Sequence, residues 1–441
     1  MRVELAVQLP DGREVTAGTI ESIKAMGRTV PEFRYAETYL SDEAAYALSP
    51  ELPLDAGRST PRGARTMFGG IADAQPDSWG RRLIDSNRRR EARKSNTGFT
   101  RPSEVDVLAA VPDATRQGAL RVRDGERYLS GPSGATPTTQ DLPVLIEMAR
   151  AFEDGAEVPD EFQRLFSVGT SMGGARPKAT VRRAGGILAL AKLPRDDDFG
   201  DAMAWEATAL ELARQAGITV PRFEHHRFGP RSVLVIDRFD RNEDRRIGYL
   251  SADSLLVKQP NESIEYTMLA ERLIPLSASP RSDAEELFRR IAFSLLINNV
   301  DDHMKNHGVL RVSNGWSLSP VFDVNPFYRQ GAADSTPVSP NDDPNDRDIR
   351  NLLGVASTFD LTSDKAVEVI REVESATARW SEVASDFGIS PEGAAAMSEA
   401  FENHNRTAAL HMSPGDRSDV GAASSGHQSR TSTGRFGRKQ S

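Results

Sequence analysis

A long apolar segment that runs into a polar loop constrains this chain more than any other stretch. Residues 283–298 are almost wholly apolar after Ile291, which is typical of a helix buried in a core. The loop that follows places a carboxylate, Asp301, five residues before an amide, Asn306. A second carboxylate, Asp323, comes further on, in an apolar segment that begins with a proline. The stretch therefore supplies three oxygen-bearing side chains around one loop.

These residue types suit phosphoryl transfer, in which a carboxylate receives the proton of an acceptor hydroxyl and magnesium is held by hard oxygen ligands. The protein-kinase catalytic loop separates its base aspartate and magnesium-binding asparagine by the same interval, with a metal-binding aspartate downstream. Strands over 308–312 and 316–318 are predicted to form the intervening hairpin, because Asn314-Gly315 favours a tight turn. The alternative is a solvated polar loop after a buried helix, and Asp323 favours the site.

A glycine-containing loop lies upstream, and a new strand is predicted to begin directly after it, at Ala179. Small residues let backbone N–H groups approach an anion closely, although a plain flexible hairpin would have the same composition. Its position before a kinase-like catalytic loop favours a nucleotide phosphate site. The candidate residues are Ser171, Met172, Gly173, Gly174 and Lys178.

The predicted strand 187–192 is apolar and ends in Lys192. Burying an ammonium costs several kcal/mol unless it has a partner, and Glu206, on a predicted helix from about 201 to 216, could supply one. A lysine–glutamate pair that anchors nucleotide phosphates is a kinase arrangement, whereas the alternative is an edge-strand lysine that points to solvent. A further apolar strand runs into Asp237 and Phe239. In a two-lobed kinase such a segment is the hinge between the lobes, whose backbone contacts the adenine.

The beginning of the chain is predicted to be β-rich, with strands over 3–8 and 13–20 and a third extended piece at 33–35. The glycine pair at 69–70 lacks a following Lys-Ser/Thr, so tight packing is favoured over a phosphate cradle. The basic run over 81–94 is interpreted as a solvated helix face, with a contact to an acidic partner or nucleic acid as the alternative. After about residue 251 the pattern is helical, including one predicted helix over 363–387.

Composition limits the remaining classes of function. A net charge of −9 over 441 residues argues against a nucleic-acid binder as a whole. The absence of cysteine excludes disulfides and thiolate sites, and the scattered histidines do not favour zinc. No apolar run suits a signal peptide or a membrane span, so a cytoplasmic protein without membrane attachment is expected. Beyond Met412 the chain is Ser/Gly/Arg-rich and is predicted to be a disordered tail.

Taken together, several motifs resemble the HipA family, the serine/threonine kinase toxins of bacterial toxin–antitoxin modules. They keep the family order and span roughly residues 1–400. The matching segments are 68–70 with 76–82, the loop 171–178, Lys192-Leu193-Pro194, Arg238-Phe239-Asp240-Arg241, Asp301-x-His303-x-Lys305-Asn306 and Pro320-Val321-Phe322-Asp323.

The resemblance implies an α+β, two-lobed protein-kinase-like fold with a small β-rich N-terminal subdomain and a mostly helical C-terminal lobe. The expected divisions are the subdomain over 1–110, the N-lobe with phosphate loop and hinge over 111–250, the C-lobe with catalytic loop over 251–412 and the tail over 413–441.

The resemblance also assigns expected roles. Asp301 looks like the catalytic base, Asn306 and Asp323 like ligands of Mg²⁺, and Lys192 like the lysine that contacts ATP, while His303 or Lys305 would stabilise the transferred group. Asp302 lies beside Asp301, and only the interval to Asn306 selects between them. The loop serine whose autophosphorylation silences these kinases falls on Ser171, with the neighbouring Thr170 as the alternative.

The family implies a HipB-like DNA-binding antitoxin as partner, contact with DNA only through that antitoxin, and a protein substrate in translation such as an aminoacyl-tRNA synthetase. The leading expectation is thus an ATP- and Mg²⁺-dependent serine/threonine protein kinase that acts as a toxin. Two alternatives stay open at this point. One is a small-molecule phosphotransferase, against which the extra subdomain argues, and the other is an inactive, antitoxin-binding co-repressor.

Overall fold

The computed structural model describes residues 1–25, 27–63, 65–129, 136–156, 176–257, 262–328, 335–340, 342–343 and 347–413.

The strands are β1 (Arg2–Gln8), β2 (Glu14–Ala25), β3 (Arg28–Tyr35), β4 (Leu120–Asp124), β5 (Arg127–Tyr128), β6 (Lys178–Arg182), β7 (Leu188–Lys192), β8 (Phe223–Phe228), β9 (Arg231–Asp237), β10 (Arg241–Asn242), β11 (Arg245–Arg246), β12 (Tyr249–Ser251), β13 (Gly308–Val312) and β14 (Gly315–Leu318). The helices are α1 (Glu37–Leu40), α2 (Gly69–Ala72), α3 (Ser78–Lys94), α4 (Glu104–Ala110), α5 (Leu142–Glu153), α6 (Ala202–Gln215), α7 (Ala252–Leu256), α8 (Tyr266–Leu273), α9 (Pro280–Leu296), α10 (Ile349–Gly354), α11 (Ser363–Thr377), α12 (Trp380–Asp386), α13 (Pro391–Phe401) and α14 (His404–His411). The α+β fold class predicted from the sequence is confirmed.

The β-rich start forms an antiparallel sheet in the order β3-β2-β1-β4-β5. Its central strand β1 pairs with β2 on one side and with β4 on the other. Residues 120–128 thus join the N-terminal sheet although they lie beyond the expected division at residue 110, and the domain boundaries themselves remain predictions.

The second sheet has the order β6-β7-β9-β8 and is the sheet of the N-lobe. Successive side chains of a strand point to opposite faces, and β9 shows this in its burial. Leu234 and Ile236 join the main core, which α6 also enters, whereas Val233 and Val235 join a separate cluster with Trp79 of α3. Helices α3 and α5 therefore cover one face of this sheet, so the basic helix belongs structurally to the N-lobe.

The C-lobe is built around α9, in which twelve of seventeen residues are buried. A hairpin of β13 and β14 follows the loop that carries Asp301 and Asn306, as predicted, and β12 completes a three-stranded sheet. The helix predicted over 363–387 is instead two helices, α11 and α12, with a turn at Ala378 and Arg379. The break lets Trp380 stack on Phe401, with ring centroids 4.9 Å apart, and no glycine or proline marks it in the sequence.

The N-terminal subdomain and the C-lobe share one continuous apolar core. Its members range in sequence from Val3 to Met412. Polar bonds reinforce this contact, since the backbone N–H and the hydroxyl of Ser251 donate to the Asp73 carboxylate at 2.7 and 2.8 Å. Among the helices of the described residues, none has both the length and the apolar character that crossing a membrane requires.

Candidate active site

A cleft of about 620 Å³ lies where the N-terminal segment, the N-lobe and the C-lobe meet. All three parts contribute walls. The N-terminal segment supplies residues between 65 and 81, the N-lobe supplies residues between 190 and 239, and the C-lobe supplies residues from 249–254, 303–306 and 322–323. Several residues predicted from the sequence line this cleft, namely Lys192, Asp237, Phe239, His303, Lys305, Asn306 and Asp323.

At the inner end of the cleft, Lys192 lies between two carboxylates. Its Nζ is 2.5 Å from Glu206 Oε1 and 2.7 Å from Asp323 Oδ1. Strand β7 places the lysine, the first half of α6 places the glutamate, and the segment after β14 places the aspartate. The edge-strand alternative is excluded for Lys192, because its side chain is only 6% exposed.

Charge coupling controls the ionisation of this cluster. Burial alone would raise the pKa of Asp323, but the positive charges of Lys192 and Lys178 outweigh it and hold the pKa well below its ordinary value. Burial raises the pKa of Glu206, and Lys192 opposes that shift. Asp323 therefore remains ionised over the physiological range of pH.

The backbone at Asp323 is unusual for a residue that is not glycine. Its φ of +58° lies in the left-handed region, which costs an L-residue roughly 1 kcal/mol or more. Strain of this kind persists where the surrounding structure fixes it, and it is concentrated at ligand sites. At this φ the carboxylate reaches Lys192.

The adjacent acids Asp301 and Asp302 have different surroundings. Asp302 is buried and accepts hydrogen bonds from the Tyr266 hydroxyl at 2.5 Å and from His307 Nε2 at 2.9 Å. Asp301 is exposed, and the side chain of Asn306 donates to its backbone carbonyl at 3.0 Å. Asp302 is thus engaged within the protein, whereas Asp301 is the exposed carboxylate of the pair and does not itself line the cleft.

The pKa of Asp301 also differs from that of its neighbour. Desolvation, together with the negative charges of Asp323 and Asp302, raises the pKa of Asp301 above its ordinary value. A raised pKa makes a carboxylate a better proton acceptor near neutrality. His303 and Lys305 of the same loop are exposed and face the cleft.

The side chains of the predicted hinge residues differ in what they contact. Phe239 lines the cleft and lies 5.6 Å from the ring of Phe322. The side chain of Asp237 accepts from Arg183 Nη1 at 2.5 Å, while its backbone pairs with Ala189. Arg238 and Asp240 bind each other within a buried cluster, although Arg238 also borders the cleft.

Lys178 begins β6 beside Lys192, its partner in the register of β6 and β7. Its side chain is 3% exposed, and its Nζ is 3.3 Å from Asp77 Oδ2. The other residues of the predicted phosphate loop and its phosphorylation site lie outside the described residues. These are Thr170, Ser171, Met172, Gly173 and Gly174.

Two features of the site were missed by sequence reasoning. Asp77 lies in the segment 76–82 that resembles the HipA family, but no role was predicted for it, and it supplies an acid that contacts Lys178. The Tyr266–Asp302–His307 network was also missed, because Tyr266 lies far from the loop in sequence. The signals for Asp77 were its place in that segment and its position before Ser78 at a helix start, where aspartate is a favoured N-cap.

The residues present fit a magnesium nucleotide. Magnesium in kinase sites takes one or two carboxylates together with phosphate oxygens, and Asn306 and the ionised Asp323 provide hard oxygen atoms that line one cleft. Lys192 and Lys178 provide the cationic groups that phosphates require.

Comparisons with known proteins agree with this geometry. Residues 170–380 match the model of the HipA-like C-terminal domain. The curated "Putative kinase Y4mE" of Sinorhizobium fredii (strain NBRC 101917 / NGR234) is 25% identical over 314 residues, which are 66% of this chain and 71% of that protein. The solved complex of the toxin–antitoxin system HipA, HipB and operator DNA of Shewanella oneidensis MR-1 contains a similar chain, with a TM-score of 0.59 and 16% identity. The alignment covers 92% of this chain and 96% of that one, so the likeness concerns the whole fold.

Proposed function

From the premise that this chain carries a HipA-like C-terminal domain over residues 170–380 and has the two-lobed HipA-like kinase fold, we propose that it is an ATP- and Mg²⁺-dependent serine/threonine protein kinase. The observation that carries the proposal is the position of Lys192 between Glu206 and Asp323 at the inner end of the cleft. A lysine–glutamate pair beside a metal-binding aspartate is the arrangement that kinases need for transfer.

Each residue has a role in this proposal. Lys192 binds the α- and β-phosphates, and Glu206 holds its ammonium in place. Asn306 and Asp323 hold the metal ion, which when bound neutralises the phosphate charge. Asp301 orients the acceptor hydroxyl and receives its proton, for which its raised pKa suits it.

The remaining cleft residues complete the site. His303 and Lys305 face the cleft from the catalytic loop and stabilise the transferred phosphoryl group. The backbone near Asp237 and the ring of Phe239 hold the adenine. Lys178 and the loop from Ser171 to Gly174 contact the phosphates, and Ser171 or Thr170 accepts the phosphoryl group in a self-silencing reaction.

The biological setting follows from similarity and belongs to the proposal. The similar chain from Shewanella belongs to a solved complex of a toxin–antitoxin system, HipA, HipB and their operator DNA. We infer a corresponding role here, with a HipB-like antitoxin as partner, DNA contact through it, and a translation protein such as an aminoacyl-tRNA synthetase as substrate.

The test is incubation of the purified protein with magnesium and γ-labelled ATP, followed by mass spectrometry to locate the phosphate. Label on Ser171 or Thr170 in the parent, and its loss in Asp301→Asn, is the expected result. Asp386→Asn is the matched control, because Asp386 is exposed at the end of α12 and does not line the cleft.

Other outcomes separate the competing functions. Nucleotide binding without protein labelling, together with ATP consumption in the presence of a metabolite, would favour a small-molecule phosphotransferase. Failure of the parent to bind magnesium nucleotide at all would overturn the kinase proposal and leave a partner-binding protein.

A further inference from the structure

Asp77 is the residue through which the N-terminal segment contacts Lys178 in the cleft. Its Oδ2 lies 3.3 Å from the Nζ of Lys178, a residue 101 positions away in the chain. Its Oδ1 accepts the backbone N–H of Gly80 at 3.1 Å, so the same side chain caps α3. Asp77, Pro76 and Ser78 all line the cleft.

The position of Asp77 is fixed by the packing of the helix that it caps. Trp79, two residues further on, is fully buried and packs edge-on against Phe152 with centroids 5.2 Å apart. The same cluster contains Ala179 of β6 and Ala191 of β7. Because these strands carry Lys178 and Lys192, the carboxylate of Asp77 has a fixed position relative to both lysines.

Asp77 is an acid in direct contact with Lys178, with its Oδ2 3.3 Å from the lysine Nζ. Asp323, from the segment after β14, acts on Lys178 at longer range, and Lys192 of the neighbouring strand repels it. Burial lowers the pKa of Lys178, and Asp77 is the largest opposing influence. Without that carboxylate, the buried ammonium would lose the largest interaction that favours its charged form.

We propose that Asp77 is a positioning residue for the nucleotide, which holds the Lys178 ammonium in place for the phosphates of bound ATP. The inference rests on the proposed function and extends it to a residue of the N-terminal segment. A lysine side chain loses much rotational freedom when it is fixed, so an ammonium that is already held binds phosphate more tightly than a mobile one.

Two substitutions separate this role from helix capping. Asp77→Asn keeps a side chain that caps helices as well as aspartate does and removes only the charge. Lys178→Met keeps the apolar stem and removes the ammonium. The measurement is calorimetric binding of a non-hydrolysable ATP analogue with magnesium to the full chain.

We expect each single variant to raise the Kd by about tenfold, as is typical for loss of a charge-assisted contact. The double variant should bind as Lys178→Met does, because Asp77 acts through the lysine. In turnover, Asp77→Asn should raise the KM for ATP and leave kcat nearly unchanged.

The result that would overturn the inference is additivity, in which the double variant loses about a hundredfold. An unchanged Kd in Asp77→Asn would overturn it equally. Asp348→Asn is the matched control, since Asp348 caps α10 through the N–H of Arg350 at 2.8 Å and does not line the cleft. A loss of the same size in that variant would assign the effect to general destabilisation, against the inference.

The parent protein separates this test from that of the proposed function. If the parent does not bind the magnesium nucleotide, the proposed function fails. If the parent binds it and the Asp77 variants bind equally well, only the positioning role fails. Thermal unfolding of every variant shows whether the folded protein is being compared.

Discussion

Two buried clusters of charged side chains occupy neighbouring parts of this molecule. They differ in how their unequal numbers of acidic and basic groups are balanced. The cleft cluster consists of Lys192, Glu206 and Asp323, and the Asp323 side chain keeps 33% of its surface exposed. The sealed cluster consists of Arg238, Asp240 and Arg241, whose side chains are 0%, 1% and 9% exposed. One cluster has two acids for one base, and the other has two bases for one acid.

In the sealed cluster, hydrogen bonds to other protein atoms satisfy the groups that the single carboxylate cannot. Arg238 donates to the backbone carbonyls of Thr115 and Arg116, and Asp240 also accepts the N–H of Gly118 at 2.7 Å. The cleft cluster instead opens its excess negative charge toward the cleft, where a bound cation can meet it. Burial of charge therefore does not identify a functional site by itself, whereas an imbalance that faces an accessible cavity does.

The largest expected effect comes from removing the open acid. Asp323→Asn should lower phosphoryl transfer by at least about a thousandfold, because electrostatic stabilisation of the transferred group is lost. Glu206 still pairs with Lys192 in this variant, so stability should change little. Steady-state kinetics measures the rate of transfer, and denaturant unfolding measures the stability. A large loss of stability with activity retained would contradict the distinction drawn between the two clusters.

Removing the sealed acid should have the opposite effect. Asp240→Asn leaves two buried guanidinium groups without a carboxylate and should lower the free energy of unfolding by about 3 kcal/mol. Urea titration measures this change. Nucleotide affinity of the folded variant should be retained, and a selective loss of affinity would show that the sealed cluster also serves the cleft.

A third prediction uses Asp302, the buried neighbour of the exposed Asp301. Burial raises the pKa of Asp302, but His307 and Tyr266 outweigh it and lower the pKa to about 2. Because this value is below that of the unfolded chain, Asp302 contributes about 2 kcal/mol at neutral pH, and the contribution is lost as pH falls from about 4 to about 2. Asp302→Asn should be less stable at pH 7, with a difference that shrinks in acid. A difference independent of pH would contradict the assignment.

The smallest effect is expected at the hinge. The carboxylate of Asp237 is bound by Arg183, so Asp237→Asn should change the Kd for ATP by less than about threefold, since the Asp237 side chain is not proposed to contact the adenine. Calorimetry with the magnesium nucleotide checks this. A tenfold change would mean that the side chain contacts the ligand.

The sequence was informative where a pattern is local. The hairpin of β13 and β14 follows from Asn314-Gly315, and the burial of Lys192 with Glu206 follows from a charge at the end of an apolar strand. Turn chemistry and desolvation act over a few residues, so they can be recognised without a structure.

The remainder depends on contacts between distant residues. Nothing near Asp302 in the sequence indicates that Tyr266, 36 positions earlier, would bind it while Asp301 stays exposed. The break before Trp380 and the addition of β4 to the N-terminal sheet are also set by tertiary packing. The contact of Asp77 with Lys178 joins two segments that carry no shared pattern.

The hydrogen bonds that cross from the N-terminal sheet and its loops to the rest of the chain have a consequence for whether the chain can be divided. A gene fission that separated residues 1–128 would leave Asp240 without the N–H of Gly118 and Ser251 without Asp73, and would cut the common apolar core. Separation of residues 1–128 is therefore expected to destabilise the rest of the chain, and the two fragments are expected to be stable only when they associate.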